Sequence, residues 1–406
     1  MIRSMGLRCS AFFRAVMPDP FVLAIGLTLV VFALAAALEG KGPADILDAW
    51  QGSRGFWSLL RFGMQMVLIL VTGHALASTP PVARGIRALA RLPRTAAQAA
   101  ALVSTIAIFA SVLNWGLGLI VGALLAREAG LSCLRRGIRH HYPVLAAAGY
   151  SGLVTWHGGL SGSAPLKVTT REGLVEMLGP ELGNQVAPMP FTETVLGSMN
   201  LLITGGLWLL VPLVCAAMMP TDSDPQEGVD QFSPGKTFAP DPGTLDSLPD
   251  RIETSRWLVW LIALPLLASI WRWLEVSGIQ QLNPNSLNLV FLALGLILHG
   301  SVRRYQQALG DAISGTTGIV LQFPFYAGIM GVMYGSGLAE RLSGLVSDLA
   351  SPKLFALVTF MSAGLINLFV PSGGGQWAVQ GPISIGAATD LGLDPSLAVM
   401  AVAYGD

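Results

Sequence analysis

Apolar runs long enough to cross a bilayer core recur along the chain, Pro20–Leu38 and Leu196–Met218 among them. The candidate membrane segments lie near 20–38, 57–78, 97–128, 143–163, 196–218, 256–275, 284–300, 312–334 and 354–389. One polar interruption is longer than the others. Over 221–255 the sequence turns rich in Asp, Pro, Gly and Ser ("TDSDPQEGVD…DPGTLDSLPD"), which reads as a mobile linker between a first half, 1–220, and a second, 256–406.

Two segments do not fit a single crossing. The excess of Lys and Arg on cytoplasmic loops puts the N-terminus (Arg3, Arg8, Arg14) inside and, two spans later, Arg84, Arg87, Arg91 and Arg94 inside again. The far flank of 97–128 is also basic, with Arg127, Arg135, Arg136 and Arg139. Two arms of about 15 residues would each rise only about 22 Å, short of a core of about 30 Å. A re-entrant hairpin with its tip at "NWGLG", Asn114 to Gly118, satisfies both observations. Carried forward, the count places 163–195 outside, the linker with Arg303 and Arg304 inside, and 335–353 outside. Segment 354–389, interrupted at Pro371–Gly375, then becomes a second hairpin entering from the opposite face.

The halves resemble each other. "FGMQMVLILVTGHALAS…ASVLNWGLGLIVGA" has the layout of "GIVLQFPFYAGIMGVMY…SAGLINLFVPSGGGQWAVQG", pairing Gln65 with Gln322 and Asn114 with Asn367. The predicted fold is an all-α polytopic membrane protein, an inverted structural repeat with two re-entrant helical hairpins and broken transmembrane helices. The first half's broken span, "TWHGGLSGSAPL", requires a counterpart after the second hairpin. One begins at Ser396 and the sequence stops at Asp406, which reads as a truncation.

Composition agrees: 52% of the 406 residues are hydrophobic and 12% charged, against about 25% charged in soluble domains, and mean hydropathy is +0.60. Net charge is zero, so nothing suggests nucleic acid. Cys9, Cys133 and Cys215 are scattered and imply neither disulfides nor a cofactor. The N-terminal forty residues imitate a signal peptide but are read as a retained first helix.

Irregular backbone at membrane depth must line protein or a wet cavity. At Pro371, Ser372, Gly373, Gly374 and Gly375 the proline ends one arm, and the arm beginning near Gln376 turns its N–H groups and positive dipole end into the cavity, a place for a carboxylate. Gln380 follows on the same arm. The other tip supplies Asn114, Trp115, Gly116 and Gly118. Asn114 and Asn367 offer amide oxygens that suit Na⁺ or amide donors that suit an anion. The broken span adds His157, Gly158, Gly159, Ser161 and Ser163. His74 and His157 are the intramembrane ionisable groups and candidates for carrying H⁺. Neither hairpin core holds an Asp or Glu, so Na⁺ and H⁺ coupling both stay open. Lys167 and Arg171 read as solvated charges at the outer mouth, and Gln65 and Gln322 as interhelical hydrogen bonds.

These motifs, with "GGLSGSAPL" and "QFPFYAGI", resemble the bacterial short-chain fatty acid transporter family, the acetoacetate and butyrate permeases, over nearly the whole chain. The resemblance implies membership of the ion-transporter superfamily and ion-coupled, elevator-like uptake of short-chain monocarboxylates across the inner membrane, by carriers that often pair as homodimers. It also implies a further broken span and final helix beyond the "AYG" near 404. An anion channel, or a carrier for another small carboxylate, is the rival reading. A membrane enzyme would need a nucleophile–base or metal constellation, and "GGLSG" has no GxSxG elbow context.

Overall fold

The computed structural model describes residues 18–220, 228–229, 247–349, 351–367, 370 and 372–406. Arg3, Arg8, Arg14, Cys9, most of the 221–255 linker and Pro371 lie outside the described residues. Every regular element among the described residues is helical.

The first half holds α1 (Pro20–Glu39), α2 (Pro43–Gln51), α3 (Leu60–Ala77), α4 (Pro80–Leu89), α5 (Ala96–Leu113) and α6 (Trp115–Arg135). Then come α7 (Tyr142–Tyr150), two short 3₁₀ turns (Ser151–Val154 and Trp156–Gly158), α8 (Ser163–Lys167), α9 (Arg171–Gln185) and α10 (Ser198–Met218). The second half holds α11 (Leu248–Glu253), α12 (Arg256–Ser277), α13 (Pro284–His299), α14 (Val302–Ile313), α15 (Thr317–Ser336), α16 (Leu338–Leu349), α17 (Phe355–Asn367), α18 (Gly373–Asp390) and α19 (Pro395–Gly405).

Local chemistry sets many of these bounds. Asp19 caps α1 by accepting from the Phe21 N–H at 2.8 Å, and Gly40, at φ 61°, ends it in the left-handed conformation a Cβ would disfavour. Proline opens α1, α2, α4, α13 and α19, where its missing N–H costs nothing. Seven helical stretches among the described residues are long and apolar enough to cross a membrane. Burial sorts them: 67% of the α3 window is buried against 11% for α10 and α12. The last two turn leucines and tryptophans outward (Leu202, Leu209, Leu213, Trp257, Leu261, Trp271), as lipid-facing helices do.

One packing order occurs twice. In the first half α3 packs on the second hairpin arm α6, and the following α7 packs on both arms, α5 and α6. In the second half α15 packs on α18, and α19 on both α17 and α18. The halves interlock where α13 and α14 pack on α3 and where α15 packs on α1 and α2. Arg303, at the start of α14, pairs with Asp250 and, at 3.0 Å, with Glu253, fixing α11 beside it.

The arms of the first hairpin differ from expectation. They hold 18 and 21 residues rather than about 15, rising about 27 Å and about 32 Å. The helix continues through half-buried Arg127 and Glu128 to Arg135, so length alone no longer argues that it re-enters. The short amphipathic helices α2, α4 and α14 fall where the apolar-run pattern showed only loops or span edges.

Candidate functional site

Asn114 interrupts the first hairpin with extended backbone (φ −159°, ψ 126°) and is fully buried. Its Oδ1 accepts from the Leu117 N–H at 2.8 Å, capping α6. The Trp115 N–H donates to Ser161 Oγ at 2.9 Å, and the Leu160 N–H to the Val112 carbonyl at 2.7 Å, so the broken span is stitched to the tip. Glycine is required by close approach: a Cβ on Gly116 would stand 2.9 Å from Leu70 Cα, and one on Gly118 would run into Ser111.

Ser372 begins α18 from extended backbone (φ −156°, ψ 109°), and its hydroxyl accepts from the Gly375 N–H at 3.4 Å. Gly373 and Gly374 occupy the first two helical positions, whose N–H groups have no intrahelical acceptor. A Cβ on Gly373 would lie 2.8 Å from Asp406 Oδ2, and one on Gly374 2.9 Å from Phe323 Cζ. Behind the tip, Asn367 Nδ2 donates to Gln376 Oε1 at 2.9 Å, and Gln376 Nε2 to the Ala363 carbonyl at 2.9 Å and Gln380 Oε1 at 3.2 Å. Gln380 Nε2 closes the ladder on Ser362 Oγ at 3.0 Å, tying α17 to α18.

Asp406, just past α19, joins the two halves. Its Oδ1 accepts from Asn367 Nδ2 at 2.7 Å and its Oδ2 from His157 Nδ1 at 3.1 Å. His157 Nε2 faces the Ser163 hydroxyl at 3.0 Å and the Ala164 N–H at 3.1 Å. A backbone N–H can only donate, so Nε2 accepts and the ring proton sits on Nδ1, toward Asp406. The imidazole stacks on Trp156 (4.5 Å, 12°). Asn200 on α10 supports the same junction: its Nδ2 donates to the Gly158 carbonyl at 2.8 Å and its Oδ1 accepts from the Tyr404 hydroxyl at 3.2 Å.

A cavity of 840 Å³ opens where these parts meet. Of the residues expected to bind, Trp115, Asn367, Ser372, Gly373, Gly374 and His74 line it. Asn114, Gly116, Gly118, His157, Gly158, Gly159, Ser161, Ser163, Gly375, Gln376 and Gln380 stand behind the wall and hold it in shape, and Pro371 lies outside the described residues. Leu70, Leu119, Ile319 and Phe323 give the cavity an apolar side. Its charged residues are Asp311 and Asp406, with no Lys or Arg among the lining residues. No group of three or more His, Cys, Asp or Glu suited to a metal occurs among the described residues.

Two expectations are corrected. Lys167 is buried, pairs with Glu176 at 2.6 Å and lies 4.5 Å above the Phe62 ring. Arg171 ties three carbonyls, those of Gly183, Asn184 and Val186, at 2.6–3.1 Å. Neither is a solvated mouth charge. Gln65 does bond between helices, to Asn285 at 2.8 Å, whereas Gln322 accepts from Tyr326 one turn along its own helix at 3.1 Å. Missing from the sequence reading were Asp406, Trp156, Asn200 and Asp311. An acid ending the apolar run 395–405 was the available signal for Asp406.

The sequence profile of the short chain fatty acid transporter family matches residues 1–406. The chain belongs to that family. A Haemophilus influenzae protein named as a short-chain fatty acid transporter is 37% identical over 100% of this chain and 90% of its own. An Escherichia coli protein named in the same way is 39% identical over 96% of this chain and 86% of its own. Solved structures share the fold: the Alcanivorax borkumensis YdaH transporter (TM-score 0.57, 16% identity, 96% of this chain and 86% of that one) and Neisseria gonorrhoeae MtrF, an antimetabolite efflux pump (TM-score 0.53, 15% identity, 97% and 87%). This member of the family is therefore a multi-pass membrane transporter and not an enzyme.

Proposed function

We propose that this transporter is an ion-coupled secondary carrier of short-chain monocarboxylates of the butyrate and acetoacetate type. The observation that carries the reading is the N-terminus of α18, open to the cavity at the meeting of the two halves. A carboxylate seated there accepts from the Gly373 and Gly374 N–H groups and meets the positive end of the helix dipole. The apolar side formed by Leu70, Leu119, Ile319 and Phe323 suits a short alkyl chain.

The recurring packing order supports an inverted repeat, with α5–α6 and α17–α18 as hairpins entering from opposite faces. The Arg303 pairs with Asp250 and Glu253 support placing the linker's end and Arg303 on one face, the cytoplasmic one by the positive-inside rule. In an elevator-like cycle the hairpin-bearing helices move as a unit, carrying the site across the bacterial inner membrane.

The test is uptake of labelled butyrate and acetoacetate into proteoliposomes under an imposed Na⁺ gradient, an imposed pH gradient, or neither. Saturable uptake driven by a gradient is the expected outcome. Flux that never saturates would mean a channel, and no uptake from folded protein would overturn the substrate assignment.

A further inference from the structure

The cavity poses an electrostatic problem for an anionic substrate. It offers the N-terminus of α18, yet among the described residues its charged side chains are both acids and no lysine or arginine lines it. Asp406 stands at the tip itself, with its carboxylate oxygen 2.8 Å from where a Gly373 Cβ would be. Two carboxylates in one low-dielectric site cannot both stay ionised without a compensating cation.

We infer that Asp406 takes up a proton when a monocarboxylate binds at the N-terminus of α18, so that one substrate anion and one proton are carried together. This rests on the proposed carrier reading and names its coupling group. The proton comes from water, binds the Asp406 carboxylate and is donated in an O–H···O⁻ hydrogen bond to the substrate; on release both leave and Asp406 is again an anion. Its present partners favour a proton over a metal ion. What reaches the Asp406 oxygens is a pair of N–H donors, from His157 and Asn367, whereas hard cations are held by oxygens.

The other titratable groups are already engaged or stand across the cavity. His157 uses Nδ1–H on Asp406 and Nε2 on Ala164 and Ser163. Tyr404, on α19 two residues before Asp406, donates to Asn200. Lys167, on the packed α8, is turned to Glu176. His74, Tyr150 and Asp311 line the opposite elements α3, α7 and α14. Asp406 alone among them joins both halves at the tip.

The experiment measures proton uptake on butyrate binding, by calorimetry in buffers of differing ionisation enthalpy, together with pH-gradient-driven uptake in proteoliposomes. In the native protein about one proton enters per butyrate, and affinity falls about tenfold per pH unit on the alkaline side. Asp406→Asn loses accumulation driven by the pH gradient, and any remaining butyrate exchange no longer varies with pH. Butyrate binding by the native protein without proton uptake would overturn the inference, whether or not the variant folds. So would loss of the linkage in Asp311→Asn with its retention in Asp406→Asn. Saturable, Na⁺-driven uptake without proton linkage would sink this inference alone, whereas absence of any monocarboxylate binding would sink the carrier reading as well.

Discussion

The two hairpin tips are matched in sequence and opposite in chemistry. At the first, the Trp115 N–H is taken by Ser161, the Leu117 N–H by Asn114 Oδ1 and the Gly118 N–H by the Asn114 carbonyl, so three of the first four N–H groups of α6 have acceptors inside the protein. At the second, among the described residues the Ser372 hydroxyl reaches the Gly375 N–H, at a long 3.4 Å, and Gly373 and Gly374 line the cavity. The paired asparagines divide in the same way. Asn114 uses its oxygen to accept, as a cap at 2.8 Å, and its nitrogen only in a long 3.4 Å bond to the Ile69 carbonyl; Asn367 uses its nitrogen to donate, at 2.9 Å to Gln376 and 2.7 Å to Asp406. A broken helix becomes a binding surface when its end groups are left without internal partners. Breaking the helix is not enough.

The sharpest way to break this comparison is to fill the open tip. Gly374→Leu pushes a side chain against Phe323, whose Cζ is 2.9 Å from the Cβ position, and covers the two N–H groups. Losing two hydrogen bonds to a charged group, at about 1.5–3 kcal/mol each, should reduce monocarboxylate uptake by two orders of magnitude or more. The protein should still elute as a folded, membrane-extracted species. Normal uptake by that variant would falsify the assignment of the second tip.

A smaller effect separates the asparagines. Asn367→Ala strips a donor from Asp406 and from Gln376, both buried, and should raise the half-saturation constant several-fold while costing about 1–3 kcal/mol of stability. Asn114→Ala removes a cap worth about 0.5–2 kcal/mol and should shift thermal unfolding with little change in half-saturation. Equal kinetic effects from the two would mean that the tips share one role after all.

Much of this was written into local sequence. In the sequence, the run from Pro371 through Ser372 to Gly375 stands out as a break in an apolar segment, and α18 does begin there, at Gly373; the bounds of α10, α12 and α13 follow apolar runs whose ends are polar. The helices that escaped, α2, α4 and α14, are amphipathic and short, so a search for unbroken apolar runs passes over them. Arg127 reads as a flanking charge that closes segment 97–128, yet α6 carries Arg127 and Glu128 on its half-buried face and runs on to Arg135. The roles of Asn114 and Asn367 were not legible at all. Whether an amide accepts or donates depends on the partner that tertiary structure brings, and Asp406 meets His157 across 249 positions of chain.

The smallest expected difference lies in the two serines, and it tests the cause of the contrast. Ser161→Ala leaves the Trp115 N–H without its acceptor beside a fully buried Asn114, which should cost about 1–3 kcal/mol. Ser372→Ala removes only a long 3.4 Å bond at a tip already open to the cavity, and should cost a few tenths of a kcal/mol, near the lower limit for a cap. Thermal unfolding of both in detergent gives the ordering directly. The reverse ordering would mean that the second tip, not the first, is the internally satisfied one, and that substrate has to displace a cap before it can bind. The expected ordering means that a carboxylate arriving at Gly373 and Gly374 displaces at most the weak Ser372 cap.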